Sequence, residues 1–232
     1  MLTTTPVPST RPVLLLDFDG TVCLGDGPVL AYAEEAFAQL PAALRADADR
    51  RVAAYLAHTP QDGDDEAADA YSLVLQIAGS HIGADALSAA YLASRKRLET
   101  DDLGIHPPEG LHESLQELGP QVTRVLMTNS PELGLERALE TLGVAGLLDQ
   151  VVCSAAKPVA LARHVGVLLG GQSPHRLLSV GDHWTNDIAV PRAMGCATAY
   201  LAPAPHPLRP ADVTARTYAE LALHIKTWAR SA

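Results

Sequence analysis

The sequence predicts an α/β protein with three layers, in which a parallel β-sheet is covered by helices on both faces. Short apolar runs alternate with helical patterns through the second half of the chain, which is typical of such a sheet. Between the first two apolar runs, residues 26–104 hold only Ala-rich helical patterns. Because this segment is far too long for an ordinary crossover, we expect a helical domain inserted after the first strand.

The predicted strands are short, apolar and separated from one another by helical patterns. They are Val13–Leu16, Val122–Met127, Gln150–Cys153, Leu177–Val180 and Ala197–Leu201. The first is uniformly apolar, as expected of a strand buried on both faces. The helices predicted to pack on this sheet are Glu132–Leu142, Val159–Leu169, Ile188–Met194 and Tyr218–Ala229.

The inserted segment is predicted to form a small helical bundle. Its predicted helices are Val29–Leu40, Ala42–His58, Glu66–Ser80 and Ala84–Glu99, separated by Pro41, the loop 59–65 and Gly83. The Pro107–Pro108 pair marks the return to the sheet. We therefore predict a core domain made of residues 1–25 and 105–232, and a helical domain made of residues 26–104.

Composition and charge exclude several classes of function. The 232 residues are 47% hydrophobic and carry a formal charge of −10, so nucleic acid and anionic membranes are not expected partners. No apolar run is long enough to span a bilayer, and residues 1–12 do not resemble a signal peptide. The isolated Cys23, Cys153 and Cys196 suggest buried thiols in a reduced compartment, so we expect a cytoplasmic protein.

Two aspartates follow the first predicted strand, in the sequence Asp17-Phe18-Asp19-Gly20-Thr21. Open α/β sheets place their chemistry at the carboxyl ends of the strands. Asp17 and Asp19 are two residues apart, so in extended backbone they point to the same side. Two like charges placed together are costly unless a cation lies between them. A solvated Asp-Gly turn is the alternative interpretation.

Polar residues also follow the second predicted strand, where Thr128-Asn129-Ser130 precede a helix predicted to begin near Pro131. A hydroxyl group and backbone N–H groups before a helix are suited to an anionic oxygen, although Ser130 would also serve as a simple helix cap. Lys157 follows the third predicted strand. Taken alone, a single lysine is equally well explained as a solvated charge.

A second acidic motif follows the fourth predicted strand, with Asp182 after Gly181 and Asp187 near a helix start. Capping of that helix is the alternative explanation for Asp187. Four aspartates gathered at one sheet edge would repel strongly without a metal ion. Their hard oxygen ligands favour Mg²⁺ over zinc or copper.

Taken in order, these motifs resemble the four motifs of the haloacid dehalogenase-like (HAD) hydrolase superfamily, over essentially the whole chain. The resemblance implies a Rossmann-like core and a helical cap domain inserted after the first motif. Asp19 is typical of phosphatases and phosphomutases of this superfamily, whereas the true dehalogenases lack it. The chain thus looks like a phosphatase-type member similar to phosphoglycolate phosphatases. The His183-Trp184 pair is a departure, because many relatives carry small residues there.

By this resemblance, Asp17 is the nucleophile that becomes an aspartyl-phosphate, and Asp19 is the general acid and base. Thr128, Lys157 and the N–H group of Asn129 would bind the transferred phosphoryl group. The residues implied for Mg²⁺ binding are Asp17, the backbone carbonyl of Asp19, Asp182 and Asp187, the last of which would support the metal site or hold Lys157.

We therefore expect a Mg²⁺-dependent phosphatase, monomeric or homodimeric, that acts on a small phosphorylated metabolite. A hexose-phosphate type of phosphomutase and a non-enzymatic phospho-acceptor module are the alternatives. Cationic side chains of the insertion are candidates for a second anionic group of the substrate, although such residues usually form solvated faces. They are Arg45, Arg50, Arg51, Arg95, Lys96 and Arg97, with His58 and His81 considered alongside them. We expect Tyr32, Tyr55, Tyr71 and Tyr91 to pack the bundle.

Overall fold

A computed structural model of the protein describes residues 2–202 and 204–232, and Met1 and Pro203 lie outside the described residues. The chain divides into two compact units. The first, here called the core unit, contains the residues up to Leu24 together with His106–Glu132 and Leu139–Ala232. The second, the helical unit, contains Gly25–Ile105 and Leu133–Ala138.

In the described residues, the core unit contains one sheet of seven strands whose neighbours all pair in parallel. The strands are β1 (Leu2–Thr3), β2 (Val13–Leu16), β3 (Thr123–Met127), β4 (Gln150–Val152), β5 (Leu177–Gly181), β6 (Ala197–Leu201) and β7 (Val213–Ala215). Their order in the sheet is β1-β4-β3-β2-β5-β6-β7. The predicted α/β class with a parallel sheet is confirmed.

The described chain also contains nine α-helices. Those of the helical insertion are α1 (Gly27–Phe37), α2 (Ala42–Leu56), α3 (Ala70–Gly79) and α4 (Ala84–Thr100). The others are α5 (Leu111–Leu118), α6 (Leu135–Thr141), α7 (Leu161–Leu169), α8 (Ala189–Ala193) and α9 (Tyr218–Ser231). A π-helical turn, Trp184–Ile188, precedes α8.

Strand β2 is buried on both faces, as its uniformly apolar sequence predicts. Val13 and Leu15 belong to a hydrophobic cluster that also contains residues of β3, β4 and α7. Leu14 and Leu16 point to the opposite face, because side chains alternate along a strand, and both are fully buried. Coverage of both faces explains why β2 shows no polar alternation.

The register of the central strands aligns their carboxyl ends at one edge of the sheet. Leu16 of β2 pairs with Leu126 of β3 on one side and with Val180 of β5 on the other. The next residue, Asp17, continues this pairing, since its N–H group donates to the carbonyl oxygen of Val180 at 3.0 Å. The residues that follow β2, β3 and β5 therefore emerge side by side, at the point where strand order reverses.

Among the strands and α-helices of the described residues, the short edge strands β1 and β7 and the helix α5 were not predicted from the sequence. The edge strands contain only two and three residues, too few for a periodic pattern to be recognised. The helix predicted to begin near Pro131 begins at Leu135 instead. The predicted Ile188–Met194 helix is the shorter α8, which follows the π-helical turn.

The helical unit has its own hydrophobic core. Buried residues of α1, α2, α3 and α4 form one cluster, which includes Tyr32, and Tyr55, Tyr71 and Tyr91 pack against it. The rings of Tyr32 and Tyr91 meet edge to face with centroids 5.5 Å apart. These tyrosines therefore pack the bundle, in agreement with the sequence prediction.

Most of the cationic side chains of the insertion contact other groups of the helical unit. Arg45 donates to the carbonyl oxygens of Phe37 and Ala38, and Arg97 pairs with Glu34 and Asp101. Buried Arg95 lies over the rings of Tyr71 and Tyr91, within 5.0 Å of each centroid. Lys96, His58 and His81 are exposed. A role of any of them in substrate binding stays a prediction.

The three cysteines are free and buried, as the sequence predicts. Among the helices of the described residues, none combines the length and apolar character that crossing a lipid bilayer requires.

The Arg51–Asp64 ion pair anchors the loop before α3 to α2, and we expect it to stabilise the helical unit. Asp64 is 1% exposed and accepts from both Nε and Nη2 of Arg51. Replacing Asp64 with Asn leaves the guanidinium without its countercharge, so the free energy of unfolding should fall by about 1–3 kcal/mol in chemical denaturation.

Asp47→Asn is the matched control, because Asp47 pairs with the neighbouring Arg50 of the same helix on an exposed surface. Its effect should stay within about 0.5 kcal/mol. Equal effects of the two substitutions would contradict a stabilising role for the buried pair.

Candidate active site

Three carboxylates converge at the carboxyl edge of the sheet. Asp17 follows β2, Asp182 follows β5, and Asp187 lies in the π-helical turn after β5. One carboxylate oxygen from each residue lies within 4.8 Å of the others. All three belong to the core unit. The structure thus brings together residues that are separated by up to 170 positions in the sequence, as the parallel arrangement of the strands predicts.

Lys157 joins two of these carboxylates. Its Nζ donates to Oδ1 of Asp17 at 2.6 Å and to Oδ1 of Asp187 at 2.7 Å. Only 4% of the lysine side chain and 2% of the Asp187 side chain are exposed. A charge buried to this degree requires close partners, so the solvated alternative for Lys157 is wrong.

Burial and nearby negative charge make ionisation of Asp17 and Asp182 unfavourable. Burial, followed by the charge of Asp187, raises the pKa of Asp17 to about 7, although Lys157 acts in the opposite direction. Burial and the neighbouring Asp17 and Asp187 also raise the pKa of Asp182 well above its usual value. Burial opposes the charge on Lys157, but the two carboxylates outweigh it and raise the pKa of the lysine. The ammonium therefore offsets only part of the negative charge.

Two glycines allow the carboxylates to approach each other this closely. Gly20 has φ of +78°, and a Cβ atom there would overlap the carboxylate of Asp182. A Cβ atom on Gly181 would lie 2.5 Å from Cγ of Asp187. A side chain at either position would displace an acidic group of the cluster. The Asp-Gly and Gly-Asp pairs of the sequence are thus explained by close approach as well as by turning.

Neighbouring groups fix the orientation of Asp187 and Asp182. The backbone N–H group of His183 donates to Oδ2 of Asp187 at 3.0 Å, and Ser179 Oγ donates to the Asp187 carbonyl oxygen at 2.7 Å. Thr21 is fully buried and donates to Oδ1 of Asp182 at 3.4 Å. Asp187 therefore lies in the first turn of the π-helical segment and accepts from its N-cap residue, as the capping interpretation predicts, while its other oxygen accepts from Lys157.

The unusual His183-Trp184 pair packs beside the cluster without placing either ring among the three carboxylates. His183 Nδ1 accepts from the N–H group of Asn186 at 3.3 Å and caps the turn. The ring of Trp184 meets Tyr200 edge to face, with centroids 5.7 Å apart. Both contacts hold the turn that carries Asp187.

The loop after β3 contributes Thr128, which is buried at the sheet edge. Its Oγ1 accepts from the N–H group of Ser130 at 3.0 Å, which directs the hydroxyl proton away from that amide. Ser130 itself does not cap a helix at Pro131, because α6 begins only at Leu135. The alternative interpretation of Ser130 is therefore wrong, and its hydroxyl donates instead to Oδ2 of Asp19 at 3.0 Å.

Asn129 holds the segment that carries Lys157. Its side-chain amide donates to the Lys157 carbonyl oxygen at 2.9 Å, and its Oδ1 accepts from the Lys157 N–H group at 2.7 Å. The preceding Ser154 and Ala156 have φ of +48° and +52°, a left-handed conformation that non-glycine residues rarely adopt. The two hydrogen bonds from Asn129 stabilise this strained loop and fix the backbone of Lys157, from which its side chain extends.

Asp19 lies near the three-carboxylate cluster, since its charge contributes to raising the pKa of both Asp17 and Asp182. Its carboxylate accepts from Ser130, and Asp17, Asp182 and Asp187 form the cluster without it. The group of Asp19 assigned to the metal is its backbone carbonyl, not its side chain. That assignment stays a prediction, as does the binding of phosphoryl oxygens by the Asn129 N–H group.

Sequence reasoning missed the contacts made by Ser130, Thr21, Gly181 and the side chain of Asn129. Each residue directly adjoins a motif that was recognised. The roles of Ser130, Thr21 and Asn129 depend on hydrogen bonds between segments far apart in the sequence, and that of Gly181 depends on the close approach of Asp187, so no local pattern indicated them. Short polar residues after a buried strand were the one available indication.

The donor set fits a divalent cation with hard oxygen ligands. The carboxylates lie close together, and the raised pKa values of Asp17 and Asp182 show that a positive ion among them would be favoured. In the described residues, no cysteine or histidine belongs to this group. Oxygen ligands alone suit Mg²⁺, Ca²⁺ or Mn²⁺ better than zinc or copper.

No family model and no curated protein matches the sequence. Solved structures do match. One is YfnB from Bacillus subtilis, described as a candidate HAD-hydrolase bound to magnesium. It is 18% identical, with a TM-score of 0.61, and the match covers 94% of this chain and 99% of YfnB. A predicted phosphoglycolate phosphatase from Haemophilus somnus is 17% identical, with a TM-score of 0.61 over 94% of this chain and 99% of its own.

A dehalogenase solved as an intermediate complex is 17% identical, with a TM-score of 0.54 over 93% of this chain and 97% of its own. Similarity at these identities establishes the fold. The resemblance inferred from the sequence motifs is confirmed at that level, and the chain has the fold of the haloacid dehalogenase-like hydrolases.

Proposed function

We propose that the protein is a Mg²⁺-dependent phosphatase that hydrolyses a small phosphorylated metabolite through an aspartyl-phosphate on Asp17. The observation that carries the proposal is the convergence of Asp17, Asp182 and Asp187 around a position suited to a cation, with Lys157 bonded to the first and last of them. Hydrolysis of phosphate monoesters is among the slowest biological reactions, so the site must lower the barrier by roughly 20 kcal/mol.

Charge neutralisation is the main task of such a site. Asp17, Asp182 and Asp187, with the backbone carbonyl of Asp19, are the proposed ligands or supports of Mg²⁺. When bound, the ion offsets the negative charge of the nucleophile and of the phosphoryl group. Lys157 and the hydroxyl of Thr128 then donate to the phosphoryl oxygens, so that charge developing in the transition state meets positioned donors.

In the first half-reaction, an oxygen of Asp17 attacks phosphorus while the bond from phosphorus to the leaving oxygen breaks. Asp19, as a carboxylic acid, gives its proton to the leaving oxygen. In the second half-reaction, the Asp19 carboxylate takes a proton from water, whose oxygen attacks phosphorus and releases Asp17 and inorganic phosphate. Asp19 serves both steps, because the first leaves it as the carboxylate that the second requires and the second returns it to the carboxylic acid.

Asp19 is the residue that favours phosphate chemistry over carbon–halogen cleavage. Structural neighbours include both phosphatase-type and dehalogenase-type proteins, so the fold alone does not choose between them. A hydrolase of alkyl halides has no need of a second aspartate to protonate a leaving alcohol. A phosphomutase would also use Asp17 and Asp19, and it is distinguished by forming an isomeric phosphate instead of free phosphate.

Asp17→Asn should abolish turnover while leaving the fold intact, because the amide has nearly the same shape but is a far weaker nucleophile. We expect a fall in kcat of at least about 10⁴-fold, since the covalent route is lost. Phosphate release from a panel of phosphorylated metabolites, measured with Mg²⁺ present, tests this. Full activity of a correctly folded variant would end the nucleophile assignment.

Asp19→Asn should slow both formation and hydrolysis of the phosphoenzyme, by about 10²–10⁴-fold, because acid and base assistance are both lost. Rapid-quench measurement of the two steps tests this. Mg²⁺ binding should survive, because the carboxylate of Asp19 is not part of the three-carboxylate cluster. Unchanged rates for both steps would contradict the acid–base role.

Mg²⁺ should bind the wild-type protein and raise its unfolding temperature, since ligands that bind only the folded state stabilise it. Asp182→Asn should weaken this binding by at least about tenfold in calorimetric titration, because one charged ligand becomes neutral. Asp212→Asn is the control, since Asp212 pairs with Arg192 at the surface. Equal Mg²⁺ affinity of the wild type and Asp182→Asn would refute this metal site.

A further inference from the structure

Ser130 connects the loop after β3 to the loop that carries Asp19. Its Oγ donates to Oδ2 of Asp19 at 3.0 Å, although the two residues lie 111 positions apart. Ser130 is 3% exposed, so water competes little for this hydrogen bond. A hydrogen bond to a carboxylate at a site with little water is stronger than one at an exposed surface.

The backbone of Ser130 is fixed at two further points. Its N–H group donates to Thr128 Oγ1 at 3.0 Å, and its carbonyl oxygen accepts from the N–H group of Ser154 at 2.9 Å. Ser154 belongs to the segment that carries Lys157. These two bonds join Ser130 to Thr128 and to the segment that carries Lys157. They fix the backbone of Ser130, from which its side chain extends toward Asp19.

We propose that Ser130 is a positioning residue for Asp19, which it holds in the orientation needed for proton transfer. The inference rests on the proposed phosphatase function and adds a residue to it. Because the Ser130 hydroxyl donates to Oδ2, we assign the proton of the neutral acid to Oδ1. Transfer to the leaving oxygen therefore proceeds from a defined atom of Asp19.

The same hydrogen bond acts in both half-reactions. When Asp19 has given its proton to the leaving oxygen, the Ser130 hydroxyl donates to the new carboxylate and offsets its charge. When that carboxylate takes a proton from the attacking water, the proton arrives at Oδ1 and the Ser130 bond to Oδ2 remains. The serine neither gains nor loses a proton over the cycle, so it acts only through Asp19.

A dependence on the leaving group follows from this role. Phenyl phosphate has a poor leaving group that needs a proton from Asp19, whereas 4-nitrophenolate departs readily as an anion. Loss of the serine hydroxyl should therefore slow phosphoenzyme formation from phenyl phosphate much more than from 4-nitrophenyl phosphate. Hydrolysis of the phosphoenzyme, which uses Asp19 as a base with either substrate, should be slowed in both cases.

The experiment compares the wild-type protein with Ser130→Ala and Ser130→Thr by rapid-quench kinetics, with Mg²⁺ and each of the two aryl phosphates. For Ser130→Ala we expect about tenfold slower phosphoenzyme formation from phenyl phosphate and about tenfold slower hydrolysis, with formation from 4-nitrophenyl phosphate changed less than about twofold. Ser130→Thr keeps a hydroxyl and should recover most of each rate.

Ser114→Ala is the matched control, because Ser114 is another buried serine of the core unit, hydrogen-bonded to the hydroxyl of Tyr218 at 3.2 Å. It should leave all three rates unchanged. Ser130→Val supplies a second comparison, since Val and Thr have the same size and differ by the hydroxyl. Comparing Ser130→Thr with Ser130→Val therefore measures the effect of the hydroxyl alone, even if the smaller Ala disturbs packing.

Wild-type rates in Ser130→Ala would overturn the inference. It is equally overturned if both substrates slow by the same factor and Thr restores nothing, because a general loss of structure explains that result. These outcomes are distinct from failure of the proposed function, in which the wild-type protein itself forms no phosphoenzyme on Asp17.

Discussion

Burial of like charges is the constraint on which the site depends. Asp17, Asp182 and Asp187 lie close together at the carboxyl edge of a parallel sheet, and one buried ammonium, that of Lys157, offsets part of their charge. Leu15, Met127 and Leu161 line the same small pocket as Lys157, which explains the strong desolvation. An arrangement of this kind is costly in the absence of a cation and therefore well prepared to bind one.

The backbone around the site is shaped to keep these charges in contact. Gly20 and Gly181 leave the space that the carboxylates of Asp182 and Asp187 occupy. Asn129 clamps the backbone of Lys157, and His164 donates to the carbonyl oxygen of Ala155 in the same loop at 3.0 Å. Rigid support matters because electrostatic stabilisation of a transition state works only when the charged groups need not reorganise.

The fold and the site differed in how well sequence patterns predicted them. The bounds of β2 and β6 were predicted correctly, since their apolar runs end at polar residues or turns. The start of α6 was misplaced by about four residues, because Pro131 is a favourable first residue of a helix, yet Gly134 has φ of +75°, which a right-handed helix cannot include. The backbone conformation of one glycine thus prevailed over a local preference for a helix start at proline.

By itself the sequence determined that strands and helices alternate, that an extra helical segment follows the first long strand, and that acidic residues stand at strand ends. These properties follow from local hydrophobic patterns and from the geometry shared by all parallel sheets. Only the tertiary structure decided that Lys157 bridges Asp17 and Asp187, that Ser130 reaches Asp19, and that Asn129 holds the lysine loop. Contacts of that kind depend on side-chain directions and distances between remote segments, which no pattern along the chain records.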